Sequence, residues 1–214
     1  MKTKHFIPIL ILLLNVSHGY AQTKSWNWFL AYSYDINNPL FETSSETFNG
    51  KLQGNSSWGM GQSFGLGVGY KAGKKITLRL GAQFKGMSYK NDSIGLNDVK
   101  LIDKTFRGVE IPIIVDYQIT ESGWAIGIGG QYYHGFQEKI TYQLLNNNQR
   151  QQAFEKSKAT GLGIQMQLTK QFNPDDTHMI AIGLQGQLYP KLIESSDGQF
   201  GFMNLGLCIG LTFL

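Results

Sequence analysis

From Trp26 onward the apolar residues recur at every second position, and the positions between them are mostly glycine, serine, glutamine and alanine. A period of two belongs to an extended strand, whose successive side chains point to opposite faces; a helix would repeat every three to four residues. The first stretch sets the pattern. Trp26, Trp28, Leu30, Tyr32, Tyr34 and Ile36 are large and apolar, whereas Asn27, Ala31, Ser33 and Asp35 are small or polar, with Phe29 the exception. The alternation returns over residues 63–70, 76–85, 109–117, 124–132, 161–168, 180–188 and 203–213, so eight strands are predicted. Glycine supplies 26 of the 214 residues, against roughly 7 % in average usage, and many of these glycines fall inside the alternating stretches.

Alternation alone fits both a soluble sandwich with an apolar core and a barrel with an apolar exterior. The small face decides between them. In a soluble sheet it would be solvated and rich in charge, yet here only a few charged residues interrupt Gly, Ser, Gln and Ala. Such side chains fit a narrow lumen that has to be filled. The connections add an independent argument, because they alternate in length. Residues 71–75, 118–123 and 173–178 are short links, 37–60, 90–105 and 135–157 are long, and 190–199 is intermediate. Short periplasmic turns opposite long external loops are the outer-membrane arrangement. Aromatic residues fall at strand ends: Trp26, Trp28, Tyr70, Tyr117, Trp124 and Phe213 on the turn side, and Tyr34, Phe84, Tyr132 and Tyr89 on the loop side, as two interfacial girdles. The fold expected is therefore an all-β, transmembrane, antiparallel up-and-down β-barrel of about eight strands. It lies in the cell outer membrane in contact with its lipid, with both termini periplasmic. Pro112 removes a ladder donor within a strand, so a bulge or a locally unpaired carbonyl opposite it is expected.

Residues 1–21 have the layout of a cleaved signal peptide: Lys2 and Lys4, an apolar run over 6–14, then Gly19 and Ala21 before the cut. Asn15 and Ser17 interrupt the run well short of the roughly 20 apolar residues of a spanning helix. Residues 22–214 then form the barrel domain. Taking Lys2 and Lys4 from the 19 basic residues leaves 17 against 15 acidic, a net charge of +2, which does not point to nucleic acid. The single cysteine, Cys208, excludes an internal disulfide and reads as a small residue on a strand.

Charged residues on the lumen face are the sharpest site signal. Arg79 and Lys85 lie on the third strand and Glu110 and Asp116 on the fourth. In an antiparallel pair, directly opposed residues keep a constant positional sum, and Arg79 with Asp116 shares its sum with Lys85 and Glu110. One register would pair both sets as structural ion pairs neutralising charge in a narrow interior; a polar gate is the functional alternative. No catalytic residue, cofactor or metal ligand is expected. His134 faces outward near the external rim, with Ser157 and Glu138 nearby, but nothing in the spacing fixes a Ser-His-acid geometry. His178 beside Asp175 and Asp176 reads as turn chemistry, with a weak surface metal site as the alternative. The external loops carry mixed charge, including Glu42, Glu46, Lys51, Asp92, Asp98, Lys100, Asp103 and Lys104, and the polar run 146–152 suggests a disordered stretch or a short helix.

The stretch Val109-Glu110-Ile111-Pro112-Ile113-Ile114-Val115-Asp116-Tyr117 resembles the PorT-type outer-membrane β-barrel domain of Bacteroidetes, as do the Gly-Leu-Gly-Ile run at 161–164 and the alternating last strand. Members usually end on an aromatic residue that resembles a signal for the barrel-assembly machinery; here Phe213 is followed by Leu214. The resemblance implies the barrel and an association of the name with a secretion apparatus. The expected function is a non-enzymatic, monomeric barrel with a structural or interaction role: loop display, binding of a protein partner, or service in an envelope or secretion complex. A narrow passive channel for small solutes and a lipid-modifying enzyme remain the two alternatives.

Overall fold

The computed structural model describes residues 26–43, 56–91, 94–95, 99–144, 149–157, 159–173, 177–193 and 199–213. The expected signal segment 1–21, the loop residues Glu46, Lys51, Asp92 and Asp98, the asparagines 146–148, Asp175, Asp176 and Leu214 lie outside the described residues. The strands are β1 (Trp26–Thr43), β2 (Ser56–Ser57), β3 (Gly59–Lys71), β4 (Ile76–Asn91), β5 (Ile94–Gly95), β6 (Val99–Gln118), β7 (Trp124–Leu144), β8 (Arg150–Glu155), β9 (Thr160–Phe172), β10 (His178–Ile193) and β11 (Gln199–Phe213).

Eight of these strands close a ring in the order β1, β3, β4, β6, β7, β9, β10, β11 and back to β1, every neighbouring pair antiparallel. Closure leaves no sheet edge, so backbone polar groups are paired without water. The short β2, β5 and β8 pair with β4, β6 and β7 beyond the ring. The large apolar face points outward, exposing residues such as Ile113, Ile128, Leu184 and Leu207, while Ser33, Ser63, Gln83, Gln165, Gln185 and Asn204 are buried inside. Phe29, the exception to the alternation, is also buried inside. Its ring occupies the hollow left by two glycines: a Cβ on Gly67 would come within 2.5 Å of Phe29 Cζ, and one on Gly81 within 3.3 Å.

The tight links at one end follow local chemistry. In the 119–123 turn, Gly123 has φ 93°, a left-handed conformation that glycine alone adopts freely, and its N–H donates to Thr120 O at 3.1 Å. At the other end the strands run much further than the alternation suggested. β6 has 20 residues and β7 has 21, about twice the 9–11 that a tilted strand needs to cross hydrocarbon. Residues expected in loops, among them Glu42, Lys100, Asp103 and Lys104, belong to strands. The expectation of disorder or helix over 146–152 is likewise corrected where it can be seen, since Arg150, Gln151 and Gln152 are in β8, paired to β7.

All three prolines within the described strands interrupt pairing. The β1–β11 register shifts between Pro39 and Phe41, and the pairings of β10 shift on both sides around Pro190. At Pro112 there is no bulge. The β4–β6 ladder lapses over residues 81–82 and 111–112 and resumes in the same register, as loss of one donor requires.

Candidate functional site

At mid-height the lumen is crossed by one buried charge cluster. Lys85 of β4 points inward because it lies an even number of residues from Gln83 and Arg79 on the same face. Its Nζ meets Glu110 Oε2 of β6 at 3.0 Å and Asp35 Oδ2 of β1 at 3.8 Å, and all three side chains are fully buried. The same ammonium donates to Gln187 Oε1 of β10. Gln187 Nε2 donates in turn to Glu110 Oε1 at 3.3 Å, and the Tyr189 hydroxyl donates to Glu110 Oε2. Two carboxylates thus face one ammonium, and neutral donors meet the second of them: Asp35 accepts from Ser33 Oγ at 3.0 Å and Gln185 Nε2 at 2.9 Å. Hydrogen bonding of this kind is what allows charge to persist in a dry interior.

Nearer the short turns, Arg79 Nη2 donates to Asp116 Oδ1 at 2.9 Å, with a second bond from Nε to Oδ2. Gln167 Nε2 adds a bond to Asp116 Oδ1 at 2.7 Å, and the guanidinium lies 5.3 Å from the Phe29 ring centre. Between the two clusters is a cavity of about 40 Å³, lined among others by Ser33, Arg79, Gln83, Gln185 and Cys208, room for a few water molecules at most.

The four residues that the sequence singled out thus lie in these clusters, but not in the expected register. Asp116 is directly opposite Thr77, and Glu110 opposite Gln83, so each ion pair runs diagonally, two residues off. Long side chains reach across such a diagonal, and a constant positional sum cannot tell it from direct opposition. The sequence reading missed Asp35, Gln187 and Tyr189, which complete the Lys85 cluster from strands distant in sequence. It also missed Lys104 and Glu138, which pair at 2.8 Å farther out.

Beyond Lys85 the lumen is closed by Met87, Tyr89, Phe106, Tyr133, Ala159, Tyr189, Leu192 and Phe202, all buried and in one cluster. Tyr89 packs edge-on to Phe202 at 5.5 Å and Tyr133 to Tyr189 at 6.2 Å. Tyr89 is therefore not part of an outer girdle; its parity is that of Lys85 and Met87, and it points inward. Tyr34, Phe84 and Tyr132 do face outward and are exposed.

No protein-family profile matches the chain, and no curated protein does. Among solved structures, the outer membrane protein OprG of Pseudomonas aeruginosa superposes with a TM-score of 0.53 at 14 % identity, over 89 % of this chain and 96 % of OprG. Neisserial surface protein A gives 0.45 at 12 % identity, over 88 % of this chain and 96 % of its own. Ail of Yersinia pestis gives 0.40 at 14 %, over 87 % and 99 %. The chain has the fold of an eight-stranded outer-membrane β-barrel. At these identities the likeness is one of fold.

In this outer-membrane barrel fold the wall separates the groups that a hydrolase would need together. His134 is exposed on the outer face of β7, whereas Ser157 and Glu138 are buried on the inner side, with Ser157 Oγ bonded to Ala159 N at 3.2 Å and Glu138 held by Lys104. A Ser-His-acid unit needs two successive hydrogen bonds. His178 opens β10, with Nδ1 at 2.7 Å from Thr177 Oγ1 and its ring 5.4 Å from Phe213. Among the described residues, no three His, Cys, Asp or Glu side chains could hold a metal ion.

Proposed function

We propose that the chain resides in an outer membrane as a filled barrel with a structural or interaction role and no catalysis. The observation that carries this reading is the closed lumen: an aromatic cluster caps a fully buried charge cluster, and the cavity between that cluster and the Arg79–Asp116 pair is about 40 Å³. A solute would have to displace Phe106, Phe202, Tyr189 and the Lys85 ion pairs together, whereas a scaffold gains rigidity from the same packing. The outward apolar belt, rimmed by Tyr70, Tyr117 and Trp124 on the turn side and Tyr34, Phe84 and Tyr132 on the other, supports the membrane location. The resemblance of residues 109–117 to the PorT-type domain supports placing the barrel near an envelope or secretion complex. The long ends of β6 and β7 offer the surface for a partner.

Membrane residence is tested by detergent extraction from an outer-membrane fraction together with heat-modifiable gel mobility; a protein recovered soluble from the periplasm overturns it. The filled lumen is tested in planar bilayers. The purified wild-type protein is expected to give no stable conductance steps, and regular unitary steps would establish the narrow-channel alternative instead.

A further inference from the structure

We propose that the outer wall of β4, β6 and β7 binds the phosphates of a phosphorylated glycolipid in the outer leaflet, through Arg107, Lys139 and Lys90. This rests on the outer-membrane placement above. Cross-strand register puts the three cations on one outward surface. Gly86 of β4 is opposite Arg107 of β6, Arg107 is opposite Gln137 of β7, Thr105 is opposite Lys139, and Lys90 is opposite Asp103. Their neighbours Phe106 and Tyr89 are buried inside, so strand alternation turns Arg107 and Lys90 outward, and both are exposed.

Height decides the ligand. Phe84, exposed in the outer aromatic rim, is directly opposite Val109, and Arg107 lies two residues farther out, about 7 Å along the strand at roughly 3.3 Å per residue. That is headgroup depth, just past the hydrocarbon edge. Arg107, Lys139 and Lys90 form no ion pair with another described residue; Arg107 Nη1 donates to the neutral Gln137 Oε1 at 3.3 Å. Among the described residues the acid on this surface is Asp103, which leaves an excess of positive charge there. Phe154 of β8 stands directly opposite Lys139 and is 58 % exposed, giving a sugar ring a flat face beside the cations. The β1–β3 wall at similar height shows Leu40, Trp58 and Met60 instead. Among the described residues, cationic character therefore distinguishes the β4–β6–β7 wall from the β1–β3 wall.

The experiment uses the full-length barrel in nanodiscs containing lipid A, lipid A stripped of its phosphates, or phosphatidylglycerol, with retained lipid read by native mass spectrometry and folding by heat-modifiable mobility. Wild type is expected to retain lipid A over both other lipids. Arg107→Gln with Lys139→Gln should lower that retention by about fivefold for each cation removed, while Lys71→Gln with Lys74→Gln at the opposite end leaves it unchanged. Equal retention of phosphatidylglycerol, or equal losses in the two double variants, overturns the proposal while leaving the barrel in the membrane. A chain that fails to insert into any of the three bilayers overturns the membrane placement instead.

Discussion

Lys85 is the residue on which the interior turns, because it is the cation shared by Asp35 and Glu110. Lys85→Met would leave two buried carboxylates without a counter-charge, and removing one partner of such a pair costs about 3–5 kcal/mol. Urea unfolding in detergent, followed by heat-modifiable mobility, should show a loss of that size, and adding Glu110→Gln should recover part of it. A loss under about 1 kcal/mol would show that water already reaches the cluster. Phe29 and Gly81 provide a second test by volume, since a Cβ on Gly81 would lie 3.3 Å from Phe29 Cζ and no closer than 3.2 Å to backbone. Gly81→Leu should destabilise by about 1–3 kcal/mol through overpacking, and Phe29→Ala by about 3–5 through a cavity. The double variant should lose less than the sum, since the new leucine fills the space the ring vacates. None of this complementarity was legible beforehand: Phe29 stood out as an irregularity, and its meaning lay in two glycines on strands other than its own.

At the level of strands, the sequence showed the staves only where they face lipid. Between Trp26 and Ile36, or between Ile180 and Leu188, one face must be apolar, so parity is unmistakable. Beyond the bilayer both faces are free to vary. There Phe106, Tyr133 and Tyr189 point inward and Arg107 points outward, and the alternation that marks a strand inverts or fades. The additional lengths of β6 and β7 were hidden for that reason. Register was hidden for another, because Lys85 and Arg79 are long enough to satisfy either a direct or a diagonal partner. Two predictions belong at this scale. Pro112→Val restores a donor where the β4–β6 ladder lapses, and amide exchange at residues 81 and 82 should slow in the variant; unchanged rates would place the cause of the gap elsewhere. Replacing residues 141–152 with Asn-Gly, which suits a two-residue hairpin, should leave the barrel folded and heat-modifiable, because β8 pairs with β7 alone and the excised end of β7 pairs otherwise only with the outer end of β6. Loss of folding would show that β8 supports the ring.

For the molecule as a whole, the filled interior yields a prediction that separates scaffold from pore. Phe106→Ala with Phe202→Ala removes two of the rings that close the outer lumen. Conductance steps should appear in bilayers where wild type shows none, and silence in both would place a further barrier at the Lys85 cluster. The ring order carries a different consequence. Most neighbouring staves are also successive along the chain, but β1 finds its second neighbour only in β11, where Trp28 meets Phe213. The first stave to leave the ribosome therefore waits for the last. Until β11 pairs, the edge of β1 stays open to any passing strand, and an unclosed sheet has no tolerable resting place in hydrocarbon. Closure is accordingly an all-or-none event, and a chain cut short before β11 should give no heat-modifiable barrel rather than a weaker one.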